Sequence, residues 1–105
     1  MLEIDKEVTL TVLAQDIIDG IPSEPGCCAV AIALRRLFDC EVHVNTQNTE
    51  VVWVYAPSKH LPMFLHNREL NKFIVDFDDG SINYQNAKNY EFKITPRPLR
   101  ASYDD

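Results

Sequence analysis

The sequence predicts an α+β domain with one four-stranded, mainly antiparallel sheet and two helices on one face, in the order βαββαβ. Three observations carry that expectation. Apolar residues alternate with polar ones in short β-branched and aromatic segments, recur at helical spacing in two runs free of Gly and Pro, and are shared over only 105 residues, a length that supports one core. Residues 1–105 are therefore expected to be a single domain, with 1–5 and 97–105 as flexible ends.

Val8, Leu10 and Val12 alternate with Thr9 and Thr11, which describes a first strand with one buried face. Asp16-Ile17-Ile18-Asp19-Gly20 then suggests one helical turn, capped by the aspartate and ended by a glycine free to take a positive φ. From Cys27 to Phe38, Val30, Ala33, Leu34, Leu37 and Phe38 define the apolar stripe of a first full helix, with Arg35 and Arg36 toward solvent near its negative pole. The alanines let it lie close on a sheet.

Glu41–Asn45 and Glu50–Ala56 read as a hairpin around the polar stretch 46–49. In the second of these strands both faces are apolar, which places it inside the sheet. Pro57 and Pro62 bracket a connection containing Met63-Phe64-Leu65. These three apolar residues need cover from the core or from a partner. Asn67 is a suitable N-cap for a second helix carrying Leu70, Phe73, Ile74 and Phe77, which ends among Asp76, Asp78, Asp79 and Gly80. Tyr90, Phe92 and Ile94 alternate as a last strand, closed by Pro96 and Pro98.

Composition narrows the function classes. The net charge is −6, and residues 1–26 hold six carboxylates against Lys6 alone. No cluster of Lys and Arg is available to displace counterions from a phosphate backbone, so direct nucleic-acid binding is disfavoured and basic protein partners are favoured. No apolar run reaches the ~18–20 residues that cross a bilayer, and the acidic start does not resemble a secretory signal, so no membrane partner is expected. Three cysteines, two of them adjacent, suit reduced thiols in a cytosol better than a disulfide framework.

Several residues could carry chemistry. Cys27 and Cys28 at a helix start could be activated thiols, but no neighbouring base is legible in the sequence. The Gly26-Cys27-Cys28 segment could also present backbone N–H groups to an anion, without the glycine-and-lysine pattern of a phosphate loop. No pair of Cys or His has the spacing of a metal site, and no cofactor is implied. Asp76, Asp78 and Asp79, with Met63 and Phe64, are the candidate protein-binding residues. The bland alternative is a solvated helix end and core packing.

Asp16-Ile17-Ile18-Asp19-Gly20, Cys27 and the run Ala29–Arg36 resemble a family of small proteins common in tailed-phage genomes. Leu61-Pro62, Phe73-Ile74, Phe77-Asp78, Gly80 and Tyr90–Ile94 follow in the same order, so the resemblance spans about residues 8–95. The chain departs from it at Cys28, where many relatives have proline or another small residue. The family carries no assigned activity. The resemblance implies a non-enzymatic accessory protein in the host cytoplasm that binds and inhibits a host or anti-phage defence protein, in an anti-CRISPR-like or other anti-defence role. The alternatives are a binder that sequesters an anionic signalling nucleotide as a homo-oligomer, and a small thiol enzyme.

Overall fold

The alternation near the start of the chain does form a strand, β1 (Val8–Val12), which buries Leu10 and Val12. In the computed structural model, which describes residues 6–46, 51–59 and 61–98, it is followed by α1 (Ala14–Asp19), α2 (Ala29–Phe38), β2 (His43–Thr46) and β3 (Val51–Ala56). A 3-10 turn then leads to β4 (Leu61–His66), α3 (Arg68–Asp78), β5 (Tyr90–Ile94) and a short β6 (Arg97–Pro98).

The single four-stranded sheet in the order βαββαβ is not what forms. The described strands make two sheets. β1 pairs antiparallel with β5, Val8 opposite Ile94 and Val12 opposite Tyr90. The second sheet has the order β2-β3-β4-β6, each neighbour antiparallel. Two features produce the difference. The first and last full strands close on each other instead of joining the central hairpin, and the segment expected to be a loop around Met63-Phe64-Leu65 is strand β4. Pro62 had argued against a strand there. Among the described residues, β4 pairs with β3 with Pro62 opposite Tyr55, and with β6 at Met63 and Phe64. Arg97 and Pro98, expected in a flexible end, form β6; residues 1–5 and 99–105 lie outside the described residues, as do residues 47–50 between β2 and β3.

α2 and α3 run between the two sheets. α2 touches β1 on one side and β2 on the other, while α3 packs on β2 and β3 and sets Phe73 against Tyr90 and Phe92 of β5. A helix covered on both sides must be slim and apolar nearly all round. Ala29, Ala31 and Ala33 are fully buried, as are Val30, Leu34 and Phe38. The helix stops where Asp39 adopts a left-handed conformation, φ 58°, and returns its N–H to the Arg35 carbonyl.

α1 is a longer element than the single turn expected, and its aspartate works differently. Asp16 lies inside the helix and accepts the Leu13 N–H at 2.8 Å. It is buried, and Arg36 of α2 grips both its oxygens, Nη1 to Oδ1 at 3.1 Å and Nη2 to Oδ2 at 2.8 Å. Arg36 also donates to the Thr11 carbonyl at 3.1 Å, so one guanidinium ties β1, α1 and α2 together. Hydrogen bonding to Asp16 pushes the Arg36 pKa up. Gly20 does not need a positive φ; its φ is −72°. What it supplies is closeness: a Cβ there would stand 2.7 Å from the Ala29 nitrogen, 2.8 Å from the Asp16 carbonyl oxygen and 2.9 Å from the Phe77 ring.

Two stability outcomes follow. Arg36→Ala leaves Asp16 buried without its cation. Because Arg36 is itself 47% exposed, the loss in urea unfolding should be about 2 kcal/mol, below the range for fully buried pairs. Gly20→Ala, which presses on backbone atoms of two helices, should cost about 1–3 kcal/mol, where an alanine in an open turn would be neutral.

Candidate functional site

Where α3 lies beside β5, the two elements leave an open groove of about 580 Å³. Its floor is aromatic. Phe73 meets Tyr90 edge-on with ring centroids 4.8 Å apart and Phe92 at 5.6 Å, and Ile82 of the following loop forms one wall. The helix is started by Asn67, whose side chain accepts the Leu70 N–H at 2.8 Å and donates to the Lys93 carbonyl of β5 at 2.9 Å, holding the two walls together. The 79–89 loop is shaped by asparagine and aspartate turns, Asp79 to Ser81, Asn83 to Gln85 and Asn86 to Asn83.

Charge on the groove's rim is unequal. Lys72 donates to Asp76 at 2.8 Å across one helical turn, which pushes the lysine pKa up and cancels both charges. Glu69 and Glu91 remain as carboxylates without a lysine or arginine partner in the groove lining. Lys88 stands at the margin with its ammonium 5.4 Å from the Tyr90 ring centroid, so this aromatic surface already holds a cation.

The structure separates the acids expected to act together. Asp76 is on the groove rim, paired with Lys72. Asp78 accepts the Ser23 N–H at 2.8 Å, and Ser23 has a φ of 65°, so this carboxylate fixes the loop before α2. Asp79 accepts the Ser81 N–H at 2.8 Å, and hydrogen bonding to the Ser81 side chain, with this backbone bond second, lowers its pKa. Each acid at the end of α3 thus has its own donor.

Met63 and Phe64 are also parted. Met63 is fully buried and unavailable to a partner in this fold. Phe64 points to the opposite, outer face of the sheet, edge-on to Trp53 with centroids 4.6 Å apart.

The cysteines divide as well. Cys28, not Cys27, stands at the N-cap of α2 and is buried, and burial pushes its thiol above the ordinary 9.0. The recess beside it measures about 100 Å³ and is lined by Glu24 and Asp78, too small for a nucleotide and of the wrong sign for an anion. Cys27 is exposed in a separate cleft of about 570 Å³ with Gly26, Arg35, Glu41 and His43. There Arg35 is held by the Gly26 carbonyl at 2.6 Å and His43 Nε2 by Glu41 at 3.0 Å. No hydrogen bond joins the Cys27 thiol to the His43 ring among the described residues, so the cleft lacks the thiol–imidazole contact a nucleophile would use. No group of three or more potential metal ligands occurs among the described residues, and none of the described helices is long and apolar enough to cross a membrane.

Sequence reasoning missed Glu69, Tyr90 and Glu91 as site residues. Phe73, Tyr90 and Phe92 were visible only as core positions, and nothing in their spacing says that α3 and β5 lie side by side. No family model, curated protein or solved structure matches the chain.

A thiol kept neutral by burial stabilises the fold below its unfolded pKa, and that contribution is lost as the pH rises through the higher folded value. The advantage of the wild type over Cys28→Ala in urea unfolding should hold at neutral pH and shrink above pH 9.0. In the native protein at neutral pH, iodoacetamide should label Cys27 and spare Cys28, as read by peptide mass analysis.

Proposed function

We propose that the protein is a non-enzymatic binding protein, and that the groove between α3 and β5 takes a basic segment of a partner protein anchored by one apolar side chain. The supporting observation is the pairing of an aromatic floor with two uncompensated carboxylates, Glu69 and Glu91, on a surface where the Lys88 ammonium already stands over Tyr90. An apolar anchor on the floor would supply burial, and Lys or Arg beside it would meet the acids and the ring faces. The partner's class, a host or defence-system protein inhibited by docking in the host cytoplasm, is the part of the proposal that rests on the resemblance to tailed-phage accessory proteins. In this reading the acidic binding surface lies at the groove, and of the three aspartates expected there only Asp76 borders it.

The test uses an end-capped pentapeptide with one phenylalanine flanked by lysines, titrated calorimetrically. Binding should be weak, in the range of roughly 10–500 µM for so short a ligand, and should weaken further as salt screens the rim. Glu69→Lys with Glu91→Lys should reduce affinity at least about tenfold, since like charges replace complementary ones. Asp78→Asn and Asp79→Asn should leave it unchanged. No binding, or binding indifferent to the groove substitutions, would remove the proposal.

A further inference from the structure

In an antiparallel pair, residues directly opposite each other either exchange both backbone bonds or turn them outward together, and the two kinds alternate along the strands. The Thr11 carbonyl is taken by Arg36 at 3.1 Å and the Lys93 carbonyl by the Asn67 side chain at 2.9 Å, so both point away from the β1–β5 ladder. Thr11 stands opposite Glu91, and Thr9 opposite Lys93. Both observations set the same alternation: Thr9, Thr11, Glu91 and Lys93 turn their N–H and C=O groups outward, those of Glu91 and Lys93 on the α3 side.

At three places the sheet edges are closed by the protein itself. Arg36 covers the β1 edge at Thr11, Asn67 covers the β5 edge at Lys93, and at β2 the Val44 N–H donates to the Pro25 carbonyl at 2.9 Å. Glu91 differs. Its N–H and C=O meet no hydrogen-bond partner among the described residues, and it stands exposed in the lining of the α3–β5 groove. An exposed strand edge with a free donor and a free acceptor is a template for another strand.

We propose that the partner's basic segment binds in extended form, adding itself to β5 as a third strand of the β1–β5 sheet through the Glu91 N–H and C=O. The inference rests on the groove reading above and specifies its mode. A helical segment satisfies its own main-chain groups and would leave those of Glu91 unpaired under it, whereas an extended one supplies the missing acceptor and donor. Side chains of an added strand alternate between the two faces of the sheet. The one opposite Glu91 lies on the face of that carboxylate, where Lys or Arg makes a cross-strand ion pair. Its neighbours lie on the face of Tyr90 and Phe92, where the apolar anchor belongs. Asn67 limits the site, because its amide already occupies the Lys93 carbonyl. The segment recognised is therefore short and alternates basic with apolar residues.

The lysine–phenylalanine pentapeptide tests this through its own backbone. A series of versions, each N-methylated at one amide, keeps every charge and side chain and removes one donor at a time. Strand N–H groups point alternately to the two sides, so one methylation should lower affinity at least about tenfold while those at the adjacent amides leave it within about twofold. Amide exchange of the protein, followed by NMR, is the second readout. The Glu91 N–H should exchange fast in the free protein and slow by about twentyfold with the unmethylated peptide at about twenty times its Kd. Binding of the parent peptide with every methylation tolerated, or with an even loss at every amide, would overturn strand addition and leave the groove reading in place. Unchanged Glu91 exchange in the bound protein would do the same, as would slowed exchange without a sensitive amide, which is simple coverage. If the parent peptide does not bind, the groove reading falls and this inference with it.

Discussion

The burial of α2 on two sides is the constraint from which the other features follow. A helix held between two sheets has little solvated face on which to place polar side chains, and its approach distance leaves little room for bulk at its neighbours. Gly20 meets the second requirement, by letting the end of α1 come within contact distance of the Ala29 nitrogen and the Phe77 ring. Arg36 meets the first, by turning away from the packed faces to bind Asp16 and the Thr11 carbonyl. The one buried carboxylate of the core region is thus a fastener between β1, α1 and α2.

The same constraint divides the acidic residues into two groups. Asp16, Asp78 and Asp79 accept backbone N–H groups at the starts and ends of helices, and Asp76 is matched by Lys72. These acids shape the chain and are largely spoken for. Glu69 and Glu91 stand on facing elements above the floor of Phe73, Tyr90 and Phe92. Acidity counted along a sequence therefore overstates what is free to meet a partner, and the position of a carboxylate relative to helix ends separates the structural from the available ones.

Much of the local structure was legible. The period of two located β1, β3 and β5, and Asn67 marked the start of α3 with the cap bond observed. The antiparallel β2–β3 hairpin and the interior position of β3 also followed from pattern. The strand at Leu61–His66 did not, because Pro62 outweighed its apolar neighbours. The division into two sheets was beyond reach for a different reason: alternation specifies which face of a strand is buried, not which strand lies next to it. The groove inherits that blindness, since its floor joins residues from α3 and β5.

Placement of the binding surface is the claim on which the functional account turns, and a ¹⁵N–¹H correlation titration with the lysine–phenylalanine peptide measures it residue by residue. The account predicts shift changes concentrated at Glu69, Lys72, Lys88, Tyr90 and Glu91, with Ser23, Asp78 and Ser81 unmoved. Changes centred on Asp78 and Asp79, or spread evenly over the acidic surface, would contradict it.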